Sequence, residues 1–497
     1  MLASFKTFFL LLYLRIAKLT VSPEPKKLLN HNNWRFSKKS KILIVLAIIA
    51  ILFISAFTFL PKQSDSKPIV PQSTESPIST GSPNYTLSPS PSATNMVPKR
   101  DSGSTALGQI YPNRGYPPTP VHTQKPPGVL ESAQTINNSV WQAVARNAWN
   151  FFQQGIGVDA DSGLLSAPFT DWDIGAYIQA VIDASKLGLI DNGSDWGFTA
   201  RIDKVLTFLE TRELNSTTNY PFWFYQPDGT DFHSNSDFSQ NSVDIADTGR
   251  LLVALNNLKA YSSNFSTRIN NLVYNAYDNR SNYAILVPMI KSYSLFDNSI
   301  YAYYVYSGFA SFWPENLSSA PSIILSNSFA AGNVTTNNVS LPLIAVTGDP
   351  LLCSVFELNN NDSSLIALMN QFYLAHESYY NATGRYRAFG EGPSLSTDWQ
   401  WEWVVLPNGR TWVPLNSADQ DTNMSPVIYT KIALGFLAIY NTTFAANMSI
   451  YLEHNLPEPT HGYYDGIDES GNQLSSTNSL TNSLILDAAL YAIRHNP

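Results

Sequence analysis

Residues 42–60 read ILIVLAIIAILFISAFTFL, an apolar run that no charged residue interrupts. At a rise of ~1.5 Å per residue, such a run wound as a helix crosses a hydrocarbon core of ~30 Å. A chain that holds it has one part on each side of a bilayer. Arg35, Lys38, Lys39 and Lys41 stand directly before the run, with Lys6, Arg15, Lys18, Lys26 and Lys27 further upstream and Glu24 opposing them. Lys62 and a largely neutral tail come after it. This excess of Lys and Arg places the N-terminal side in the cytoplasm and everything after residue 60 outside. A cleaved signal peptide fits less well, because the run exceeds a usual h-region, starts only at Ile42 and lacks an A-x-A-like site before Pro61. The expectation is a single-pass plasma-membrane protein with its bulk extracellular.

The chain then falls into four stretches. Residues 1–41 form a basic cytoplasmic segment, within which Phe8–Leu14 is too short to span and suits the membrane interface. Residues 42–60 are the anchor. Residues 61–129 hold fourteen of the chain's 31 prolines among Ser and Thr, a composition that cannot offset its own ordering entropy and predicts an extended stalk. Residues 130–497 turn to long amphipathic segments and make the extracytoplasmic domain. Only 14% of all residues are charged, against roughly 25% in ordinary soluble domains. The polar surface therefore falls to Asn, Ser, Thr and Tyr. With a net charge of −8 and no outward cluster of Lys and Arg, nucleic acid is excluded as an expected partner, and neutral polar matter such as glycans is favoured. Cys353 is the only cysteine, which rules out an intrachain disulfide and a CxxC metal site and suits a buried small hydrophobe. No metal or cofactor is expected, the seven histidines being scattered. Fourteen Asn-X-Ser/Thr sequons, from Asn84 to Asn447, agree with a glycosylated exterior.

Helical periodicity dominates the domain. Ile174, Tyr177, Ile178, Val181 and Ile182 make one stripe, opened by Thr170-Asp171 and closed near Gly188. Ile202, Val205, Leu206 and Leu209 make the next, and Ile245, Leu251, Leu252, Leu255 and Leu258 a third. Residues 428–440, 444–452 and 484–493 continue the pattern. Residues 399–415 alternate instead and predict a β-hairpin turning at Asn408-Gly409. Helix hairpins in series, with aromatic-rich loops between them, predict an all-α toroid whose loops line a cleft.

Nothing here matches a P-loop, a GxGxxG or a Ser-His-Asp spacing. What the chain offers is carboxylates beside aromatics, the pairing that glycosidic chemistry requires: one carboxyl to protonate the leaving oxygen, another to activate water or attack the sugar, and flat rings for stacking. Five clusters qualify. Asp171, Trp172 and Asp173 open a helix, where Asp171 would also serve as an N-cap. Asp247 and Arg250 stand three apart and would equally form a surface pair. Glu391 lies between Gly390 and Gly392 and is expected on a loop; Asp421 leads into a helix expected from Met424, which it would equally cap; Tyr464 and Asp465 sit in a turn.

In order, TDWDIGAYIQAVIDASKLGLI, VDIADTGRLLVALNNL, FGEGPS with NGRTW, ADQDTNMSPVIYTKIALGFLAIY and GYYDGIDESG with TNSLTNSLILDAALYA resemble the domain-of-unknown-function 3131 family of envelope proteins. That family is similar in turn to glucoamylase-like and β-1,2-glucan-active (α/α)6 domains. The resemblance covers about 155–495 and thins across 280–385, where Asn- and Ser-rich insertions around 314–345 stand. It implies an all-α (α/α)6-type toroid with a small β-hairpin insertion, facing the exterior in a carbohydrate-related role.

The chain thus reads as a membrane-anchored glycoside hydrolase or transglycosylase acting on an oligo- or polysaccharide. Glu391 is the first choice of catalytic carboxylate, with Asp173 or Asp171 opposite and Asp247 and Asp421 behind them. Trp172, Arg250, Trp412, Tyr464 and Asp465 are the candidate sugar contacts. The competing class is a glycan-binding or structural envelope protein without turnover.

Overall fold

The computed structural model describes residues 136–215, 219–232, 244–274, 283–292, 299–358, 362–395, 399–416, 420–421, 424–474 and 476–495. The chain divides into two units, Met1–Met96 and Val97–Pro497, and the described residues belong to the second. The cytoplasmic segment, anchor and stalk expected from the sequence lie outside them. Among the described residues no helix is long and apolar enough to cross a membrane.

In chain order the helices are α1 (Asn138–Trp149), α2 (Asp171–Lys186), α3 (Phe198–Thr211), α4 (Ile245–Tyr261), α5 (Ser266–Tyr274), α6 (Val287–Ser292), α7 (Ile300–Phe312), α8 (Pro314–Leu317), α9 (Ala320–Ala330), α10 (Gly348–Phe356), α11 (Ser363–Thr383), α12 (Thr430–Tyr440), α13 (Thr443–Asn455) and α14 (Ser479–His495). The strands are β1 (Asn333–Thr336), β2 (Val339–Pro342), β3 (Glu391–Pro393), β4 (Trp399–Val405), β5 (Thr411–Asn416), β6 (Val427–Tyr429) and β7 (Gly466–Asp468). They form three small antiparallel sheets: β1-β2, β3-β4-β5 and β6-β7. The protein is mostly helical, as expected.

Two kinds of helix alternate along the chain, and composition separates them. In α12 every side chain except Ile439 is buried, and α2 and α14 are apolar or tightly packed on almost every face. A helix buried all round belongs to an inner layer. By contrast α3 buries the single stripe Phe198, Arg201, Ile202, Val205, Leu206, Phe208 and Leu209, as a helix with one wet face does. The inner helices pack in a closed cycle: α2 on α4, α4 on α7, α7 on α10, α10 on α12, α12 on α14, and α14 back on α2. Glycine permits the tightest of these approaches. A Cβ on Gly308 of α7 would meet the Gly249 carbonyl oxygen of α4 at 2.1 Å, so no larger residue fits there without moving a backbone.

Helix starts follow side-chain chemistry more closely than the stripes foretold. Thr170, not Asp171, is the N-cap of α2, and Asp173 completes a capping box by accepting from the Thr170 N–H at 3.0 Å. Asp244 caps α4, its Oδ1 accepting from the Ala246 N–H at 2.8 Å. The segment expected as helix from 428 begins instead as β6 and becomes helical at Thr430. The predicted hairpin is present, with Gly409 at φ 82 in its turn, and gains β3 as a third strand. Glu391 therefore lies on a strand and not on a loop, because Glu391, Gly392 and Pro393 pair with Trp401, Gln400 and Trp399.

Candidate functional site

The N-termini of the inner helices meet at one end of the cycle. Asp173 of α2 accepts from the Ser479 hydroxyl of α14 at 2.9 Å. Thr248 of α4 donates to Asp171 of α2 at 3.3 Å, and Tyr301 of α7 lies 5.9 Å from the Trp172 ring. Asp349 of α10 is ion-paired with Lys431 of α12. The Thr430 N–H donates to the Asp465 carbonyl at 2.9 Å, tying α12 to the approach to α14. Unpaired N–H groups and aligned peptide dipoles make helix N-termini favourable to negative charge. Here several converge on one cluster of carboxyls.

Glu391 stands within this cluster. Its N–H donates to Asp349 Oδ2 at 2.8 Å, and its side chain is only 6% exposed. Burial first, and Asp349 second, push its carboxyl up to about 7, against the opposing pull of Lys431 and the Tyr301 hydroxyl. The preceding glycine has a plain purpose: a Cβ on Gly390 would lie 2.6 Å from Asp349 Oδ2. The glycine thus admits the contact that places Glu391.

On the other side of Tyr301 lie the aspartates of α2 and α4. Asp171 is buried and clamped by Arg212 Nη1 at 2.5 Å. Asp173 and Asp247 are half-buried, yet crowding by protein pushes both carboxyls up, and Asp244 adds to the effect on Asp247. Crowded groups that still touch solvent suit the floor of a recess. Asp247 accepts from Trp223 Nε1 at 3.2 Å. It does not pair with Arg250, which turns inward to Glu357 at 2.9 Å and stacks 4.8 Å from the centre of the Trp172 ring. The surface pair expected from the i, i+3 spacing gives way to a buried one. Glu357 also accepts from the Tyr304 hydroxyl, and Tyr304 meets Trp172 edge-on at 5.8 Å. Trp172, 6% exposed, is thus held from below by a charged pillar.

The remaining candidates scatter. Asp465 is buried and accepts from Ser476, Asn478 and Thr481 at 2.7, 2.8 and 2.5 Å; burial pushes its carboxyl to about 6. Tyr464 is half-buried and lines a cavity of about 310 Å³ with Thr430, Glu453 and Tyr463. Asp421 is exposed and paired with Arg410. Trp412 packs against His376, Tyr379 and Phe389, at 5.0, 4.9 and 5.0 Å, and donates to Thr336 at 2.9 Å. Its ring is taken up by packing, which runs against a free stacking face.

Sequence reasoning missed Tyr301, Asp349 and Lys431, which carry no local motif. It also missed the row Trp399, Trp401 and Trp403. These alternate with fully buried Gln400, Glu402 and Val404 and are all half-buried. That alternation was legible in WQWEW, since a strand turns every second side chain to one face. Among the described residues no group of three His, Cys, Asp or Glu could hold a metal ion.

Comparison with known proteins bears on the fold. The chain is similar in fold to the endo-β-1,2-glucanase of Talaromyces funiculosus, solved with sophorose, at a TM-score of 0.50 and 11% identity, covering 71% of this chain and 84% of that one. It is also similar to the endo-β-1,2-glucanase of Chitinophaga pinensis, solved with sophorotriose and glucose, at 0.47 and 13%, covering 73% and 94%. No curated protein matches it in sequence. The family model described as "Protein of unknown function (DUF3131)" matches residues 143–282 and 324–495, so that on the sequence motifs and on the match alike this chain belongs to the DUF3131 family.

Proposed function

We propose that the described residues form an (α/α)6 toroid acting as a glycoside hydrolase or transglycosylase, held outside the cell by residues 42–60. The closed cycle of six inner helices supports the architecture. The Lys and Arg asymmetry around 42–60 supports the topology. One observation carries the chemistry: a buried carboxyl, Glu391, pushed to about 7 beside the Tyr301 hydroxyl, in a cluster rimmed by aromatics. A carboxyl in that range is about half protonated at neutral pH and can give up its proton, as a general acid must.

In this reading Glu391 protonates the glycosidic oxygen as the bond to the anomeric carbon breaks. Asp173 supplies the opposing carboxylate, which takes a proton from a water as the water oxygen bonds to the anomeric carbon, or bonds to that carbon itself until water or a second sugar displaces it. Arg250 lies close enough to favour the ionised form of both carboxyls. Lys431 and Tyr301 hold the charge left on Glu391 after the proton departs. Trp172 backs the cluster from beneath, fixed by Arg250 and Tyr304.

The test compares wild type with Glu391→Gln on a panel of β-linked glucans, following new reducing ends and, separately, binding by calorimetry. Loss of general acid catalysis is worth about 10²–10⁴-fold, so turnover should fall by that factor while binding persists. The wild-type rate should also decline as pH rises through about 7, as the proton on Glu391 is lost. Equal turnover by both proteins removes Glu391 from the mechanism. Binding without wild-type turnover transfers the reading to a glycan receptor.

A further inference from the structure

The three tryptophans of β4 stand where a sheet ordinarily keeps large apolar groups covered. β4 is the central strand of β3-β4-β5, so neither its edge nor its hydrogen-bonding groups are free. Its inward face is complete: Gln400, Glu402 and Val404 are fully buried, with the Val427 N–H donating to Glu402 at 2.5 Å. Trp399, Trp401 and Trp403 share the other face and are all half-buried. Same-face residues on a strand recur at about 7 Å. The indoles are therefore spaced along the strand; Trp399 packs in part against the hydrophobic core, and Trp401 and Trp403 lie beyond it.

Register joins this row to the site. Glu391 pairs directly with Trp401, and residues directly opposite in an antiparallel pair project to the same face with Cβ atoms about 5 Å apart. Trp399 pairs with Pro393 on one side of that point. On the other side the Trp403 ring lies 6.0 Å from Tyr301, which itself lies 5.9 Å from Trp172. The run Trp399, Trp401, Trp403, Tyr301, Trp172 thus passes Glu391 at Trp401. Flat apolar faces repeated along β4, with a carboxyl opposite Trp401 and no Lys or Arg among the β4 residues of the row, fit a chain of neutral pyranose rings. They fit a compact or charged ligand poorly.

We infer that Trp399, Trp401 and Trp403 form a stacking track that selects an extended oligosaccharide chain, laid along β4 across Glu391. This rests on the reading of Glu391 as part of a glycan site, and it specifies the substrate as a chain of several sugars and not a disaccharide. Glu391 would meet an internal linkage of the bound chain, while Trp399 holds the sugars on the side of it away from Tyr301 and Trp172.

The experiment measures binding, so that it can fail separately from catalysis. Full-length Glu391→Gln is titrated with β-1,2-linked gluco-oligosaccharides from disaccharide to octasaccharide, with calorimetry and tryptophan fluorescence as readouts. Affinity should climb with length, with a shift in the indole emission. Trp399→Ala should lower affinity for the octasaccharide by about threefold to tenfold, the range of one aromatic contact, and change that for the disaccharide by less than twofold. Trp399→Phe should restore most of the loss. Affinity independent of length, or a loss in Trp399→Ala that is equal for short and long ligands, overturns the track. Should the alanine variant fail to fold, an indole emission unmoved by octasaccharide bound to the parent protein overturns it as well. A track without turnover would sink only the catalytic reading.

Discussion

The two ends of the inner helical cycle are both acidic and both buried, but they treat their carboxyls differently. At the N-terminal end, Asp171, Asp173, Asp349 and Glu391 face helix starts, hydroxyls and aromatic rings. At the C-terminal end, Asp183 of α2 and Asp487 of α14 line a cavity of about 260 Å³ with Glu357, Lys186 and Tyr491. There the helix dipoles present their negative poles. Burial, and Asp183 beside it, push the Asp487 carboxyl well up. Asp183 takes further donors from Gln179 and Lys186, at 3.0 and 3.5 Å. Its charge is thus answered within its own helix. Carboxyls face helix starts and aromatic rings at one end, and one another at the other. Burial of acids does not by itself mark a site; the sign of the backbone field and the presence of unspent aromatic faces do.

Three measurements break or sharpen this contrast. The largest effect belongs to the pillar between the ends. Glu357→Ala leaves Arg250 charged and buried without its partner, which costs ~3–5 kcal/mol. Chemical denaturation reads it, and a loss below ~1 kcal/mol would mean that Arg250 finds another anion. Next comes Glu391 as a stability liability. Its folded carboxyl titrates at about 7 against an ordinary 4.5, so the unfolded chain ionises first and the wild type loses stability as pH rises from about 4.5 to about 7. Glu391→Gln escapes this and should be more stable at pH 8 by up to ~3 kcal/mol, the advantage fading below about pH 5. Melting curves at the two pH values decide it; a variant less stable at pH 8 would place the carboxylate in a supportive field and remove the poise of Glu391. The smallest effect is expected at Asp487. Asp487→Asn keeps a donor toward Asp183 and should change stability by less than ~1 kcal/mol with turnover retained. Loss of turnover in a folded Asp487→Asn protein would erase the distinction between the ends.

Much of the fold was legible in the sequence, for reasons that individual residues make plain. Stripes such as Ile202, Val205, Leu206 and Leu209 announce helices because periodicity is a local property. The hairpin announced itself through Asn408-Gly409 and through alternation. Glu391 stood out because two glycines beside a carboxylate have no helical excuse, and Gly390 indeed makes room for Asp349. The part of the site that stayed hidden depends on contacts distant in sequence. Arg250 was read against Asp247, its neighbour along the helix, while its true partner Glu357 lies 107 residues on. Trp412 and Trp403 look alike in the string, yet one is enclosed by His376, Tyr379 and Phe389 and the other borders Tyr301. Asp171 looked like a cap and is clamped by Arg212, from the far end of the next helix.

The hydrogen bond between Ser479 and Asp173 joins residues 306 positions apart, and α14 packs at once on α1, α2 and α12. Until α14 has been synthesised, α2 has no neighbour on one side, and its apolar flank is open to whatever surrounds the growing chain. Contacts of such long range reward the chain only after a long loop has closed, which makes the last step of folding slow and exposes earlier helices to aggregation. For this protein the ring therefore cannot close before α14 is in place. Shortening the chain before α14 would yield a family of open, adhesive helix pairs and not a smaller version of the same domain.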